Sequence, residues 1–149
     1  MNLSDLIEHT IIWKASPSKW QALKELSAVL FEKGAITDFD EFTKALTQRE
    51  KIVSTGIGIG VAVPHARLSS LKKFVLVLGV AQDKGIDWDS IDKKPVHLVF
   101  AIGAPANAQE EYLQLLSSIT THVKNPIMRK KLIKAKSSGD LIKLLSECK

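Results

Sequence analysis

Three glycines at alternate positions, Gly56, Gly58 and Gly60, lead directly into Val61-Ala62-Val63-Pro64-His65, and no other run limits the fold as much. Glycine lets a backbone enter conformations that a Cβ forbids, and it lets other groups come close. A dinucleotide-binding turn would need a helix directly after the glycines. Here a β-branched run follows, and Pro64 would obstruct any helix begun at the glycines. A nucleotide phosphate loop would need Gly-Lys-Ser or Gly-Lys-Thr, which is missing. The remaining option is a loop passing into a strand that delivers His65 at its end. Pro64 fixes its own φ and biases Val63 toward extended geometry, so the histidine is held at a defined place.

One histidine on a constrained segment, flanked in sequence by Arg49 and Arg67, suits the acceptance of a phosphoryl group. A neutral imidazole nitrogen can attack phosphorus and carry the group as phosphohistidine. Arginine offsets the charge of the phosphoryl oxygens with forked donors. Such transfer depends on positioning and electrostatics more than on acid–base machinery.

The wording Arg49-Glu50-Lys51, Ser54-Thr55-Gly56-Ile57-Gly58 and Gly60-Val61-Ala62-Val63-Pro64-His65 closely resembles a known phosphorylation-site motif. It is that of the fructose/mannitol/nitrogen class of enzyme IIA proteins of the bacterial phosphoenolpyruvate-dependent phosphotransferase system. The run Ile86-Asp87-Trp88-Asp89-Ser90-Ile91-Asp92, with Pro95 to Ile102, is similar to the same family, and the likeness covers about the whole chain. The resemblance implies His65 as phosphoacceptor and Arg49 as the group that stabilises the phosphoryl charge. It places Ser54, Thr55, Gly56, Gly58 and Gly60 in support of the phosphate, with backbone amides of the glycine segment assisting. In sugar-specific members, and in many nitrogen-type ones, a second histidine precedes a leucine on the helix after the last strand and sits beside the acceptor. The matching position here is Tyr112, in Glu111-Tyr112-Leu113. Tyrosine can donate a hydrogen bond but cannot carry positive charge. It could equally serve as the head of that helix's apolar stripe.

The implied partners are a phosphocarrier of the HPr type and then either a regulatory target protein or the IIB domain of a fructose- or mannitol-type transporter. No IIB or IIC sequence is fused here, and the Arg49-Glu50-Lys51 wording is closer to the nitrogen-regulatory branch, so the regulatory role is the expected one. Whether the chain acts as a transfer enzyme or purely as a regulator stays open. No cofactor and no metal is expected. His9, His65, His97 and His122 lack ligand spacing, and no cysteine cluster accompanies them. A hydrolase could be drawn from Ser54, His65 and Asp87 or Asp89, but no Gly-x-Ser-x-Gly elbow is present.

A length of 149 residues suits a single domain, here residues 1–149, with a proper core. The lone cysteine, Cys148, allows no intrachain disulfide and fits a reducing cytosol. The start Met1-Asn2-Leu3-Ser4-Asp5-Leu6 has neither a basic opening nor an apolar signal core, and no apolar run is long enough to span a bilayer. A soluble cytoplasmic protein without stable membrane insertion is expected. A net charge of +5 invites acidic partners, and much of the excess lies at Lys124, Arg129, Lys130, Lys131, Lys134 and Lys136. No nucleic-acid-binding motif accompanies that charge, so nucleic acid is not an expected partner.

Along the chain, Ile11-Ile12-Trp13 reads as a first strand, with an edge position among the options. Ser18 with Gln21 forms a capping-box pattern that starts a helix with Trp20, Leu23, Leu26 or Ser27, and Leu30 on one side, ended by Gly34. A second helix begins near Thr37-Asp38, buries Phe39, Phe42 and Leu46, and ends near Arg49. Leu68 to Leu71 is expected to be a link. Phe74 to Val80 and Val96 to Ile102 are near-continuous apolar runs, as in strands covered on both faces, the second closed by Gly103-Ala104-Pro105. Gln82 to Lys94 is a loop. Tyr112, Leu116, Ile119 and Val123 share a helical face, Asn125-Pro126 breaks the chain, and two shorter helices run over 127–136 and 140–147. Interleaved strands and helices give an α/β fold with helices on both faces of one sheet, and the family resemblance adds that this sheet is mixed.

Overall fold

The computed structural model describes residues 3–147, so Met1, Asn2, Cys148 and Lys149 lie outside the described residues. A short helix α1 (Leu3–Leu6) runs into strand β1 (Ile7–Trp13), followed by helices α2 (Lys19–Glu32) and α3 (Phe39–Ile52). Strands β2 (Gly56–Gly58), β3 (Val61–Ala62), β4 (His65–Leu68), β5 (Val75–Ala81) and β6 (Leu98–Pro105) come next. Helices α4 (Gln109–Val123), α5 (Pro126–Ile133) and α6 (Ser138–Glu147) complete the chain. The sheet runs β1-β5-β6-β3-β2, with β4 also paired to β6. It is mixed as expected: β5 and β6 are antiparallel, while β1 on β5 and both β3 and β4 on β6 are parallel.

The apolar runs behave as two-sided strands because successive side chains alternate faces. From β5 and β6, Leu76, Leu78, Val80, Leu98, Phe100 and Ile102 enter the core shared with Tyr112, Leu115, Ile119, Leu141 and Leu145. Val75, Val77, Val99 and Ala101 enter the opposite core with Leu23, Leu26, Leu30, Phe42, Leu46 and Trp88. Helices α1, α4, α5 and α6 therefore cover one face, and α2 and α3 cover the other. The helix starts follow their sequence signals. Ser18 Oγ accepts from the Gln21 amide at 3.1 Å, Asp38 Oδ1 from that of Glu41 at 3.0 Å, and Asn125 Oδ1 from that of Ile127 at 2.9 Å. Pro126 is the first residue of α5, where its missing N–H costs nothing.

Several expectations need correction. β1 begins at Ile7, four residues early, because parallel pairing with β5 recruits His9 and Thr10 as well as the apolar residues. Trp20 is 46% exposed, since it sits about 90° around α2 from the buried face centred on Leu26 and Leu30. Phe39 is half-buried against Phe31, and in α4 the fully buried leucine is Leu115, with Leu116 at the margin. β6 starts at Leu98 and continues through Gly103-Ala104-Pro105, because β4 pairs with that segment, while Val96 bridges Ile86 instead. His97 thus precedes β6, and its Nδ1 bonds the Ala81 carbonyl at 2.8 Å.

The glycine run is a hairpin. Gly58, Ile59 and Gly60 all have positive φ, at 89°, 54° and 76°, and they turn β2 back onto β3. Ile59 is β-branched and unfavourable in that region; its amide donates to Asp92 Oδ2 at 3.0 Å, which pins the turn. β3 and β4 then run successively along β6. Pro64, with no N–H for the ladder, separates them, and its carbonyl accepts from Ile102 at 2.9 Å. His65 therefore opens a second short strand instead of ending the first, and β4 extends to Leu68, where a link was expected to begin.

Candidate functional site

His65 is half-buried at the start of β4, opposite Ile102 of β6. Its Nδ1 lies 3.1 Å from the Val63 carbonyl. A carbonyl only accepts, so Nδ1 carries the hydrogen in this contact, and the neutral ring keeps its lone pair on Nε2. Burial lowers the His65 pKa below 6.5; the bond to Val63 opposes this, and the charges of Arg49 and Arg67 reinforce it. The ring is thereby kept as the neutral nucleophile near pH 7.

Arg49 comes from the last turn of α3, where a cation suits the helix C-terminus. Its Nη1 donates to the Val53 carbonyl at 2.9 Å, which fixes one arm of the fork. Arg67 comes from β4, and its Cζ lies 5.8 Å from the centre of the Tyr112 ring. Tyr112 heads the buried side of α4, and its ring centre is 5.1 Å from that of His65 at a 45° tilt. Tyr112 both packs into the core and lies beside the histidine. Burial raises its pKa above 10, with the two arginines opposing, so it stays neutral.

Ser54 and Thr55 are close in the chain, but their hydroxyls are engaged elsewhere. Ser54 Oγ donates to the Trp88 carbonyl at 2.8 Å and accepts from the Gly56 amide at 3.1 Å. Thr55 binds Glu50 twice, through its amide at 2.8 Å and its hydroxyl at 2.5 Å. Glu50 is buried and takes a further contact from Lys19 Nζ at 2.8 Å. Gly56 packs against Ser90. Gly60 stands opposite His97 and Leu98, four residues along β6 from Ile102, so the hairpin turn lies roughly 13 Å from His65. The structure thus brings Arg49, Arg67 and Tyr112 to His65 and leaves Gly58 and Gly60 at a distance. With its hydroxyl committed to Trp88, Ser54 makes no nucleophile–base pair with His65. Among the described residues no three His, Cys, Asp or Glu side chains are grouped to hold a metal ion.

Sequence reasoning missed Glu50, Lys19 and Trp88. One signal was available, because Phe42, Leu46 and Glu50 recur every four residues and all three are buried. A carboxylate on an apolar helix stripe requires partners. Two surface clefts, one lined by Lys33, Lys73 and Glu111 and the other by Trp20, Val53 and Asp87, do not include His65. A group delivered by another protein needs an accessible ring more than an enclosing pocket. Among the described residues no helix is long and apolar enough to cross a membrane.

Comparison with known proteins finds relatives in sequence and in fold. A fructose-specific EIIABC component from Bacillus subtilis is 34% identical over 149 residues, which is 99% of this chain but 23% of that protein's length. A nitrogen regulatory protein from Bradyrhizobium diazoefficiens is also 34% identical, over 98% of this chain and 95% of its own. Among solved structures, the nitrogen regulatory protein IIA-Ntr of Neisseria meningitidis superposes with a TM-score of 0.86 at 26% identity, covering 96% of this chain and 98% of that one. The mannitol IIA of Escherichia coli shares the fold at a TM-score of 0.77 and 24% identity, over 93% and 96% of the two chains. Residues 6–148 match the family model described as phosphoenolpyruvate-dependent sugar phosphotransferase system, EIIA 2, and this chain belongs to that family.

Proposed function

We propose that His65 accepts a phosphoryl group from an HPr-type carrier in the cytosol and that the phosphorylated chain acts as a nitrogen-type regulatory component. The observation that carries this reading is the Nδ1 contact with Val63, which reserves the Nε2 lone pair for attack. As the bond from Nε2 to phosphorus forms, the bond from phosphorus to the carrier breaks and its electron pair leaves with the carrier. The hydrogen stays on Nδ1, donated to the Val63 carbonyl. Arg49 offsets the charge of the phosphoryl oxygens, and Arg67 adds positive potential. The higher TM-score on the Neisseria nitrogen regulatory protein, 0.86 against 0.77 for the mannitol IIA, supports the regulatory branch. Incubation with phosphoenolpyruvate, enzyme I and the carrier should add one acid-labile, base-stable phosphoryl group. His65→Ala should abolish it, and His97→Ala and His122→Ala should leave it intact. Labelling that survives His65→Ala would sink the assignment.

The fructose-specific relative favours a second reading, onward transfer to a IIB domain. A neighbour of the same fold, the mannitol IIA of Escherichia coli, is solved in complex with phosphorylated IIB, which supports that reading. Tyr112 separates the two readings. A histidine beside the acceptor could hold charge near neutral pH, whereas tyrosine stays neutral to about 10. Under the regulatory reading the wild-type chain loads readily and unloads slowly to a sugar-specific IIB domain, and Tyr112→His speeds unloading selectively. Fast unloading by the wild type would favour sugar transfer.

A further inference from the structure

Glu50 and Lys19 form an ion pair that is almost wholly removed from water, with side-chain exposures of 0% and 11%. Burying two charges is costly unless further hydrogen bonds complete them. Here they are complete. Glu50 takes the Thr55 amide and hydroxyl, and Lys19 Nζ also donates to the Trp88 carbonyl at 3.0 Å. Trp88 Nε1 in turn donates to Thr55 Oγ1 at 3.2 Å. Thr55 is therefore tied to three other parts of the fold: α3 through Glu50, α2 through Lys19 on that carboxylate, and the 86–95 loop through Trp88.

From Thr55 the contacts lead to the reacting ring. The Thr55 carbonyl accepts the Val63 amide at 3.0 Å, and the Val63 carbonyl faces His65 Nδ1. The peptide that selects the imidazole tautomer is thus tied through a single residue to the buried pair. We infer that Lys19 and Glu50 are positioning residues for His65: they hold Thr55, Thr55 holds Val63, and Val63 keeps the imidazole hydrogen on Nδ1 so that Nε2 can accept. This rests on the proposed role of His65 and gives a task to two residues that touch neither the acceptor nor the incoming group. A displacement of about 1 Å at a reacting centre can slow transfer by roughly a hundredfold, and a loosened Val63 carbonyl would move both the ring and its hydrogen.

The test uses the full chain as wild type, Lys19→Met, Lys19→Arg and Glu50→Gln. Long-range proton–nitrogen correlation spectra report which His65 nitrogen carries the hydrogen, and rapid-quench labelling by the phosphorylated carrier reports loading. The wild type should show one tautomer, with the hydrogen on Nδ1. Lys19→Met and Glu50→Gln should populate the other tautomer and load roughly ten- to a hundredfold more slowly, while Lys19→Arg restores both readouts. If Lys19→Met does not fold, Glu50→Gln keeps the side-chain shape and supplies the same two measurements. Variants that lose thermal stability yet keep the wild-type tautomer and loading rate would make the pair purely structural and overturn the inference. If the wild type takes no phosphoryl group from the carrier, the proposed function fails, and the tautomer spectra still decide the role of the pair.

Discussion

Gly56→Ala places a Cβ 2.1 Å from Ser90 Oγ, 2.9 Å from Ser90 Cβ and 3.1 Å from Ser90 Cα. Gly56 is not among the residues of positive φ, so alanine fits its backbone and the whole cost is steric. Overpacking of this kind costs about 1–3 kcal/mol. For a domain of this length that corresponds to a fall in melting temperature of roughly 2–12 °C. Ser90→Gly removes the two closest atoms, together with a buried hydroxyl that has no hydrogen-bond partner among the described residues. It should therefore rescue Gly56→Ala in part, with about 1 kcal/mol or more of coupling in a double-mutant cycle measured by urea unfolding. Gly60→Ala supplies the contrast. Its Cβ would meet nothing closer than 3.7 Å, but φ is +76°, so its cost is about 1–2 kcal/mol of backbone strain that Ser90→Gly cannot relieve. A Gly56→Ala protein within 0.5 kcal/mol of wild type, or equal rescue of both glycine variants by Ser90→Gly, would refute the close-packing argument.

Arg49→Ala should slow phosphoryl acceptance by roughly ten- to a hundredfold, the loss of a charge-assisted contact worth about 1.5–3 kcal/mol. Arg49→Lys keeps the charge without the fork and should fall in between, with rapid-quench labelling as the assay; wild-type rates in both would make Arg49 only a helix end. Because the His65 pKa is lowered, the fall in loading rate with falling pH should be centred below 6.5, and Arg67→Ala, which removes a depressing charge, should move that fall to higher pH. The same shift acts on stability. The unfolded chain binds the proton first, so stability contributed at this site is full above about 6.5, is lost as pH falls from there, and levels off below the folded pKa. Urea midpoints at a series of pH values should show that slope reduced in His65→Gln.

Helix starts and two-sided strands were legible in the sequence because each depends on residues within a few positions of one another, whereas the glycine run, read as a loop entering a strand, is a hairpin. Ser18, Asp38 and Asn125 cap the helices they precede, and the apolar run around Leu76 and Leu78 requires cover on both faces whatever lies there. His65, held behind Pro64, was marked as the proposed acceptor by the same local chemistry. The surroundings of that histidine were settled only by the tertiary structure. The register of β4 on β6 carries His65 away from the glycine turn, so proximity in sequence did not become proximity in space for Gly60. Ser54 and Thr55 look equally available in a sequence, but Trp88 and Glu50 claim their hydroxyls. Tyr112 reaches the ring from 47 positions away because α4 packs on the same side of the sheet. Lys19 meets Glu50 for the same kind of reason: two helices side by side bring together charges that periodicity can place on a face but cannot pair, because pairing depends on how the two helices sit against one another.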